Sequence, residues 1–133
     1  MTKQSNINIM ENGRAKFAYE AVKDLMENKH INQSEVRSYI KRLPIMIQTN
    51  GLGQALAFYY SKKGTYKEIY RKIAAWFSDN KSYSLLKIEN ELIEEVVNMD
   101  RATYRFATNE VIELLNWMRR FADGYISGEG KNQ

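Results

Sequence analysis

Apolar residues recur at intervals of three or four along almost the whole chain, which is the spacing of one helix face. Only one proline and seven glycines interrupt this pattern. The pattern predicts an all-α fold, a single compact helical bundle of about six helices formed by residues 11–123. Residues 124–133 lose the periodicity, and we predict a flexible C-terminal tail there and a flexible N-terminus over residues 1–10.

The boundary between the first two helices carries a capping signal. A first helix is predicted over about residues 11–28. Asn32 with Glu35 three residues later has the spacing of a capping box and opens the second helix. Pro44 lies inside that helix and predicts a kink or two abutting helices, because proline lacks an amide donor and crowds the preceding turn. Gly51 is expected to close the segment in a left-handed conformation.

Four further helices are predicted from the same kinds of signal. Thr65 with Glu68 repeats the capping-box spacing, and Asp100 can cap the last helix. The apolar stripe of each helix is expected to face one common core. The predicted spans are about residues 52–61, 65–77, 84–98 and 101–123.

The composition excludes several kinds of chemistry. The 133 residues include no cysteine, so the chain has no disulfide, thiolate nucleophile or thiolate zinc site. His30 is the only histidine, and the sequence around it offers no recognisable relay partner. No apolar run approaches the roughly 20 residues that span a bilayer, and no secretion signal is apparent. We therefore expect a cytoplasmic protein without catalytic residues, metal, cofactor or membrane partner.

The charges are segregated along the chain although the net charge is only +4. Basic residues dominate residues 36–72, whereas residues 88–100 hold acids and no base. A basic stripe can follow a phosphate backbone, because each neutralised phosphate releases counterions; an ordinary solvated surface is the alternative. The spacing of Lys63, Lys67 and Arg71 predicts that they share one face of the fourth helix. The candidate nucleic-acid-binding residues are Lys41, Arg42, Lys62, Lys63, Lys67 and Arg71.

Two other groups of residues have an alternative role beside a simple structural one. Tyrosines interleave with the lysines and could stack on unpaired bases, although Tyr66 and Tyr70 also have the spacing of residues at the core edge. The acidic segment is either plain surface or a patch that docks on the basic half of a neighbouring copy. The residues concerned are Tyr59, Tyr60, Tyr66 and Tyr70, and the acids Glu91, Glu94 and Glu95.

Two longer blocks carry a resemblance to a known family. The first is Leu43 to Phe58, where a proline in a helical pattern precedes Asn-Gly-Leu-Gly-Gln; the second runs from Tyr104-Arg105 to Trp117-Met118-Arg119-Arg120-Phe121-Ala122. Arg14-Ala15 and Ser38-Tyr39 add to them. Together they resemble the small all-helical subunit of the type III-B (Cmr) CRISPR RNA-silencing complex, over about residues 11–123.

The resemblance implies a non-catalytic structural subunit that acts in antiviral defence. Copies of such a subunit stack as a minor filament beside the larger crRNA-binding backbone, while RNA cleavage belongs to other subunits. The implied partners are other Cmr subunits, further copies of the chain, crRNA and target RNA. The motif arginines have packing or subunit contact as their implied role. Candidate subunit contacts are therefore Arg14, Arg105, Arg119 and Arg120, with Glu91, Glu94 and Glu95.

Two alternatives remain open at this point. One is the small subunit of a type III-A complex, which would share the helical character but not the Leu43 to Phe58 block. The other is a DNA-binding regulator, in which the helices meeting at Gly51 form a helix-turn-helix. Its recognition helix would begin at Leu52 and offer almost no base-reading side chains, which counts against it.

Overall fold

The computed structural model describes the backbone of residues 3–79 and 84–131 and the side chains of residues 13–79 and 84–125. Within this part of the chain there are helices and no strands, which confirms the all-α prediction. None of the helices described here combines the length and the apolar composition of a membrane-spanning segment. The helices are α1 (Lys3–Glu27), α2 (Gln33–Asn50), α3 (Leu52–Ser61), α4 (Thr65–Ser78), α5 (Leu92–Val97) and α6 (Arg101–Lys131).

The long helices α1 and α6 form one side of the bundle and run in the same direction. Arg14 meets Glu110 near one end of the pair, and Tyr19 meets Phe121 further along. Helix α2 packs against α6 and α3, and α4 packs against α3 and α2. The largest fully buried side chains are Trp76, Tyr59, Tyr70, Phe77, Leu25, Met26, Ile40, Leu43, Leu52, Leu56, Ile69 and Ile73.

The two terminal helices extend beyond their predicted ends. Helix α1 begins at Lys3 rather than near residue 11, and α6 ends at Lys131 rather than near residue 123. The prediction used the apolar stripe, which reports where a helix packs and not where its backbone bonds stop. The flexibility of residues 1–10 and 124–133 stays a prediction.

The fifth helix is much shorter than its predicted span of residues 84–98, because α5 covers only Leu92–Val97. Residues 84–91 form neither helix nor strand, and the Ile88 amide donates to the Phe77 carbonyl at 3.1 Å, which holds this segment against α4. Ile88 is buried, whereas Leu85 is 66% exposed. The helical spacing of the apolar residues therefore predicted too long a helix, and it wrongly placed Leu85 on the buried face.

The predicted caps are partly confirmed. The Asn32 side chain accepts hydrogen bonds from the amides of Ser34 and Glu35, and Asp100 accepts one from the Thr103 amide at 2.8 Å. The two capping boxes are wrong, because Glu35 accepts a bond from the Thr65 hydroxyl at 2.8 Å, and because the residue that precedes α4 is Gly64, with Thr65 already inside the helix. The side chains thus join the starts of α2 and α4 rather than closing their own helices.

The junction between α2 and α3 behaves as the sequence predicts. Gly51 has the predicted positive φ, +87°, with a ψ of 160° that essentially only glycine adopts, and its amide donates to the Ile47 carbonyl at 2.8 Å. Pro44 lies inside one continuous helix, so the alternative of two abutting helices is wrong. Helix α3 then has its predicted bounds, with Leu52 and Leu56 buried among its inward-facing residues.

Candidate nucleic-acid interface

The six candidate cations do not form one stripe on the fourth helix. Lys63 precedes Gly64 and Thr65, where α4 begins, so the predicted common face for Lys63, Lys67 and Arg71 is wrong. Lys67 and Arg71 do lie one turn apart on α4. The remaining three candidates come from α2 and the end of α3. The six candidate residues differ in the group that each charged side chain contacts within the fold.

Two of the candidate cations are paired with carboxylates. The ammonium of Lys41 lies 3.3 Å from a carboxylate oxygen of Asp123, to which Arg37 also donates at 2.8 Å. The hydrogen bond from Arg37 and the nearby Lys41 lower the pKa of Asp123. Arg71 pairs with Glu68 one turn earlier, at 2.9 Å. These exposed pairs contribute little stability, but each carboxylate offsets charge that a phosphate would otherwise meet.

Arg42 and Lys62 lie against aromatic rings instead. The Arg42 guanidinium carbon lies 5.3 Å from the ring centroid of Tyr39, and Arg42 donates to the hydroxyl of Tyr66 at 2.9 Å. The Lys62 ammonium lies 5.0 Å from the ring centroid of Phe58. Within the described residues, neither cation has a carboxylate partner, and the same holds for Lys63.

The rings beneath these cations form one cluster, which joins α2, α3 and α4. Tyr39 and Tyr66 stack with their centroids 4.0 Å apart, and Phe58 meets Tyr66 edge-on at 5.2 Å. Tyr59 lies below them, where its hydroxyl donates to the Tyr39 carbonyl at 2.6 Å. Burial raises the pKa of Tyr59, so this phenol stays protonated and bonded.

Lys67 lies beside a different ring pair. Its ammonium is 4.1 Å from the centroid of Tyr60 and donates to the Tyr60 carbonyl at 2.9 Å. Tyr60 in turn meets Tyr70 edge-on at 5.1 Å. Of the four tyrosines proposed to stack on bases, Tyr59 and Tyr70 are buried, which leaves only Tyr60 and Tyr66 partly accessible.

Arg14, a candidate subunit contact, lies inside the fold. Its guanidinium pairs with Glu110 at 2.5 Å, and the two side chains are only 13% and 5% exposed. The indole nitrogen of Trp76 donates to the other oxygen of Glu110 at 3.3 Å. We call Arg14, Trp76 and Glu110 the buried ionic junction. Its placement supports packing, one of the two roles that the resemblance implied for this arginine.

The other three motif arginines, Arg105, Arg119 and Arg120, are exposed on α6. Arg120 lines a cavity of about 210 Å³ between α1 and α6, together with Tyr19 and Phe121. These residues are therefore available for contacts with another molecule.

The acidic candidates Glu91, Glu94 and Glu95 belong to the start of α5. The Tyr70 hydroxyl donates to Glu91 at 2.7 Å and accepts from the Ile93 amide at 2.9 Å, which anchors this short helix on α4. Burial and the bond to Glu91 raise the pKa of Tyr70. In the described residues no group of three or more potential metal ligands comes together.

The structure also shows contacts that the sequence analysis missed. The Gly53 amide donates to the hydroxyl of Tyr104 at 2.8 Å, and a side chain at Gly51 would meet the same oxygen. The two sequence blocks that carry the resemblance therefore touch at this point. Phe58 was also missed, because its position on the outer face of α3 gave no signal of the rings that surround it.

Comparison with known proteins identifies the class of protein to which this chain is similar. A family model described as CRISPR-associated protein (Cas_Cmr5) matches residues 10–125. The CRISPR system Cmr subunit Cmr5 of Thermus thermophilus is 30% identical over 112 residues, which cover 84% of this chain and 91% of that protein. An X-ray structure of a CRISPR-associated Cmr5 family protein from Thermus thermophilus has a TM-score of 0.71 at 27% identity. That match covers 86% of this chain and 95% of the solved one.

These matches place the chain among the CRISPR-associated proteins. It belongs to the Cmr5 family. The resemblance to the small subunit of the type III-B complex is thereby confirmed, and the family favours it over the type III-A subunit and the DNA-binding regulator. The outer face of α3 also gives the regulator little support, since Gln54, Ala57 and Phe58 supply a single amide for reading bases.

Proposed function

We propose that this chain is a non-catalytic structural subunit of a cytoplasmic type III-B effector complex that acts in antiviral defence. Its copies stack with one another in a minor filament and contact the sugar-phosphate backbone of crRNA and target RNA. The observation that carries the RNA contact is that three exposed candidate cations, Arg42, Lys62 and Lys63, have no carboxylate partner in the described structure. Base pairing between guide and target supplies the sequence specificity, so backbone contacts suffice.

The six candidate cations can be ranked by how available each one is to a phosphate, given the group that it already contacts. A phosphate that approaches Lys41 or Arg71 must compete with Asp123 or Glu68. No carboxylate competes for Arg42, Lys62 or Lys63 in the described residues, so a phosphate that each one neutralises can release its condensed counterion. Lys67 is intermediate, because it has no carboxylate partner in the described residues but is only partly exposed and donates to the Tyr60 carbonyl.

Stacking has support from the distribution of opposite charges. The start of α5 presents Glu91, Glu94 and Glu95, whereas α6 presents Arg119 and Arg120 as exposed cations. Two different patches of opposite sign favour a head-to-tail contact, which repeats along a filament rather than closing into a two-fold dimer. We propose the acidic patch of one copy against the α6 arginines of the next.

The proposal also states that this subunit has no catalytic activity of its own. His30, the only histidine, is exposed in the connection between α1 and α2, and its backbone amide donates to the Asn28 side chain at 2.8 Å. Nothing in this position resembles a base held next to a nucleophile.

Purification of the tagged chain from its native host tests the proposal. We expect crRNA and other Cmr subunits to be recovered with more than one copy of this chain, as measured by RNA sequencing and quantitative mass spectrometry. Recovery of the chain alone, or with a DNA operator, would contradict the proposal. A complex that forms with a single copy would overturn the stacking part only.

A charge-reversed variant tests the assigned RNA contacts. Arg42→Glu, Lys62→Glu and Lys63→Glu together should keep the circular dichroism spectrum but reduce the RNA affinity of the complex, because repulsion replaces three contacts. The matched control reverses three exposed lysines on or next to α1, Lys16, Lys23 and Lys29. Equal losses in the two variants would show that only total charge matters.

A further inference from the structure

Phe58 is an aromatic residue that the fold holds firmly and yet leaves accessible. It lies near the end of α3 and is 36% exposed. Its ring meets Tyr66 at 5.2 Å and 86° and Tyr59 at 6.0 Å and 63°. Edge-on packing against two rings on one side fixes the orientation of Phe58.

The neighbouring cations add the second part of a binding surface. Lys62 lies 5.0 Å from the Phe58 centroid, on a flexible stem that can turn toward a phosphate and uncover the ring. Arg42 lies 5.3 Å from the centroid of Tyr39 and is held by Tyr66. Partial burial, the hydrogen bond with Tyr66 and the charge of the Glu35 carboxylate raise the pKa of Tyr39, and the Thr65 hydroxyl holds that carboxylate at 2.8 Å. We call Tyr39, Phe58, Tyr66, Arg42 and Lys62 the aromatic surface.

We infer that the aromatic surface binds an unpaired nucleotide of single-stranded RNA, with the base stacked on Phe58 and the flanking phosphates on Lys62 and Arg42. The inference rests on the proposed function and deepens it by naming the form of RNA that is bound. A base inside a duplex has both faces covered by its neighbours, so only an unstacked base can use the ring. Stacking of this kind tolerates every base, because each has a π-face.

The contacts that hold the helices together do not depend on Phe58. Tyr39 and Tyr66 stack at 4.0 Å, and the Tyr59 hydroxyl bonds to the Tyr39 carbonyl. These contacts join α2, α3 and α4 beneath the surface. Phe58 lies at the outer rim of the cluster, so its removal loses the edge-on contacts with Tyr59 and Tyr66 but leaves these internal contacts in place.

Fluorescence anisotropy of the isolated protein tests the inference with two probes, a labelled oligouridine of about 12 nucleotides and the same strand annealed to oligoadenosine. Phe58→Ala should weaken binding of the single strand by at least about fivefold and leave duplex binding nearly unchanged. Phe58→Tyr should restore the affinity, because it returns a ring of the same shape. Phe106→Ala is the matched control, since Phe106 is a similarly accessible aromatic residue on α6, 39% exposed.

The alternative binding results would contradict either the base stacking or the RNA contact as a whole. Equal loss on both probes, or equal loss with Phe106→Ala, would overturn base stacking while leaving backbone contacts in place. No loss with Phe58→Ala, combined with weaker binding after Arg42→Gln and Lys62→Gln, would do the same. If neither Phe58→Ala nor the glutamine variants change binding, the proposed RNA contact itself is wrong. Circular dichroism and thermal unfolding of every variant ensure that a lost fold is not mistaken for lost binding.

Discussion

Arg14 and Arg42 carry the same charge, but they differ in burial and in whether a carboxylate lies beside them. In the buried ionic junction, Arg14 is 13% exposed and faces the carboxylate of Glu110. On the aromatic surface, Arg42 is exposed, lies near the Tyr39 ring and has no carboxylate partner in the described structure. The arginine that helps to carry the family resemblance is therefore part of the packing of the fold, whereas we propose that Arg42, assigned from charge alone, contacts RNA.

A buried arginine and an exposed arginine therefore indicate different roles, the first in stability and the second in binding. A buried charge must be compensated within the chain, so its partner is part of the fold. An exposed cation beside aromatic rings has its strongest possible partner outside the chain, because a phosphate attracts it more than a π-face does. Variants of the two regions should consequently fail in different assays, stability for the first and binding for the second.

The largest expected effect on stability comes from the buried ionic junction. Glu110→Gln should lower the free energy of unfolding by about 3 kcal/mol, because the largely buried Arg14 guanidinium would lose the carboxylate with which it pairs in the buried ionic junction. Urea denaturation measures the change. Glu113→Gln, on the exposed side of the same helix, should change it by less than about 0.5 kcal/mol. Similar values for the two variants would show that the junction does not stabilise the fold.

The next effect concerns the junction of α2 with α3. Gly51→Ala should cost about 1–2 kcal/mol, because φ is +87° and the new Cβ would lie 3.3 Å from the Tyr104 hydroxyl. Thermal unfolding of the variant should therefore begin at a lower temperature. In α6, Gly124 has a helical backbone with open space around it, so Gly124→Ala should be neutral or slightly stabilising. A neutral Gly51→Ala would contradict the assigned backbone conformation.

A smaller effect is expected where the two sequence blocks touch. Tyr104→Phe should cost about 1 kcal/mol, because the Gly53 amide would lose its acceptor. Hydrogen exchange followed by NMR should show faster exchange at the Gly53 amide and little change at the Tyr59 amide. Tyr19→Phe, at a ring that is 53% exposed, serves as the comparison and should leave stability unaltered. Unchanged exchange at Gly53 would show that this bond does not protect the amide.

The smallest effect is pH-dependent and lies at Asp123. The bond from Arg37 and the charge of Lys41 hold the pKa of Asp123 below its usual 3.8. Its contribution to stability is therefore present above that value and is lost as the pH falls through the lowered pKa. Asp123→Asn should destabilise the protein by at most about 0.5 kcal/mol at neutral pH, with the difference vanishing in acid.

The same variant sharpens the ranking of the cations. Removing the carboxylate leaves Lys41 and Arg37 without their counter-charge, so RNA affinity should rise slightly if this side of α2 approaches RNA. Anisotropy titration of wild-type and Asp123→Asn protein measures the change. Unchanged affinity would remove Lys41 from the RNA-binding surface.

The local part of the fold could be predicted from the sequence, and the contacts between distant residues could not. The caps at Asn32 and Gly51 depend on neighbouring residues, so their patterns were sufficient. Glu35 has the spacing of a capping-box residue, but its bond goes to Thr65, 30 positions away. The pairing of Arg37 with Asp123 spans 86 positions, and no local pattern indicates it.

The candidate site shows the same limit. Charge segregation drew attention to Arg42 and Lys62, but it could not tell them from Lys41 or Arg71, whose carboxylate partners appear only in the fold. Phe58 was not singled out, because an aromatic residue on the outer face of a helix becomes notable only when its neighbours are known. The family resemblance supplied the complex, which composition and spacing alone do not indicate.

The salt dependence of RNA binding tests the central claim most directly. For a single-stranded probe, the logarithm of the binding constant should fall linearly with the logarithm of salt concentration, with a slope of about 0.7 per phosphate contact. The variant with glutamine at Arg42, Lys62 and Lys63 should show a slope shallower by about two, since three contacts are removed. Parallel lines for the variant and the wild-type protein would contradict the assignment of these cations to the RNA backbone.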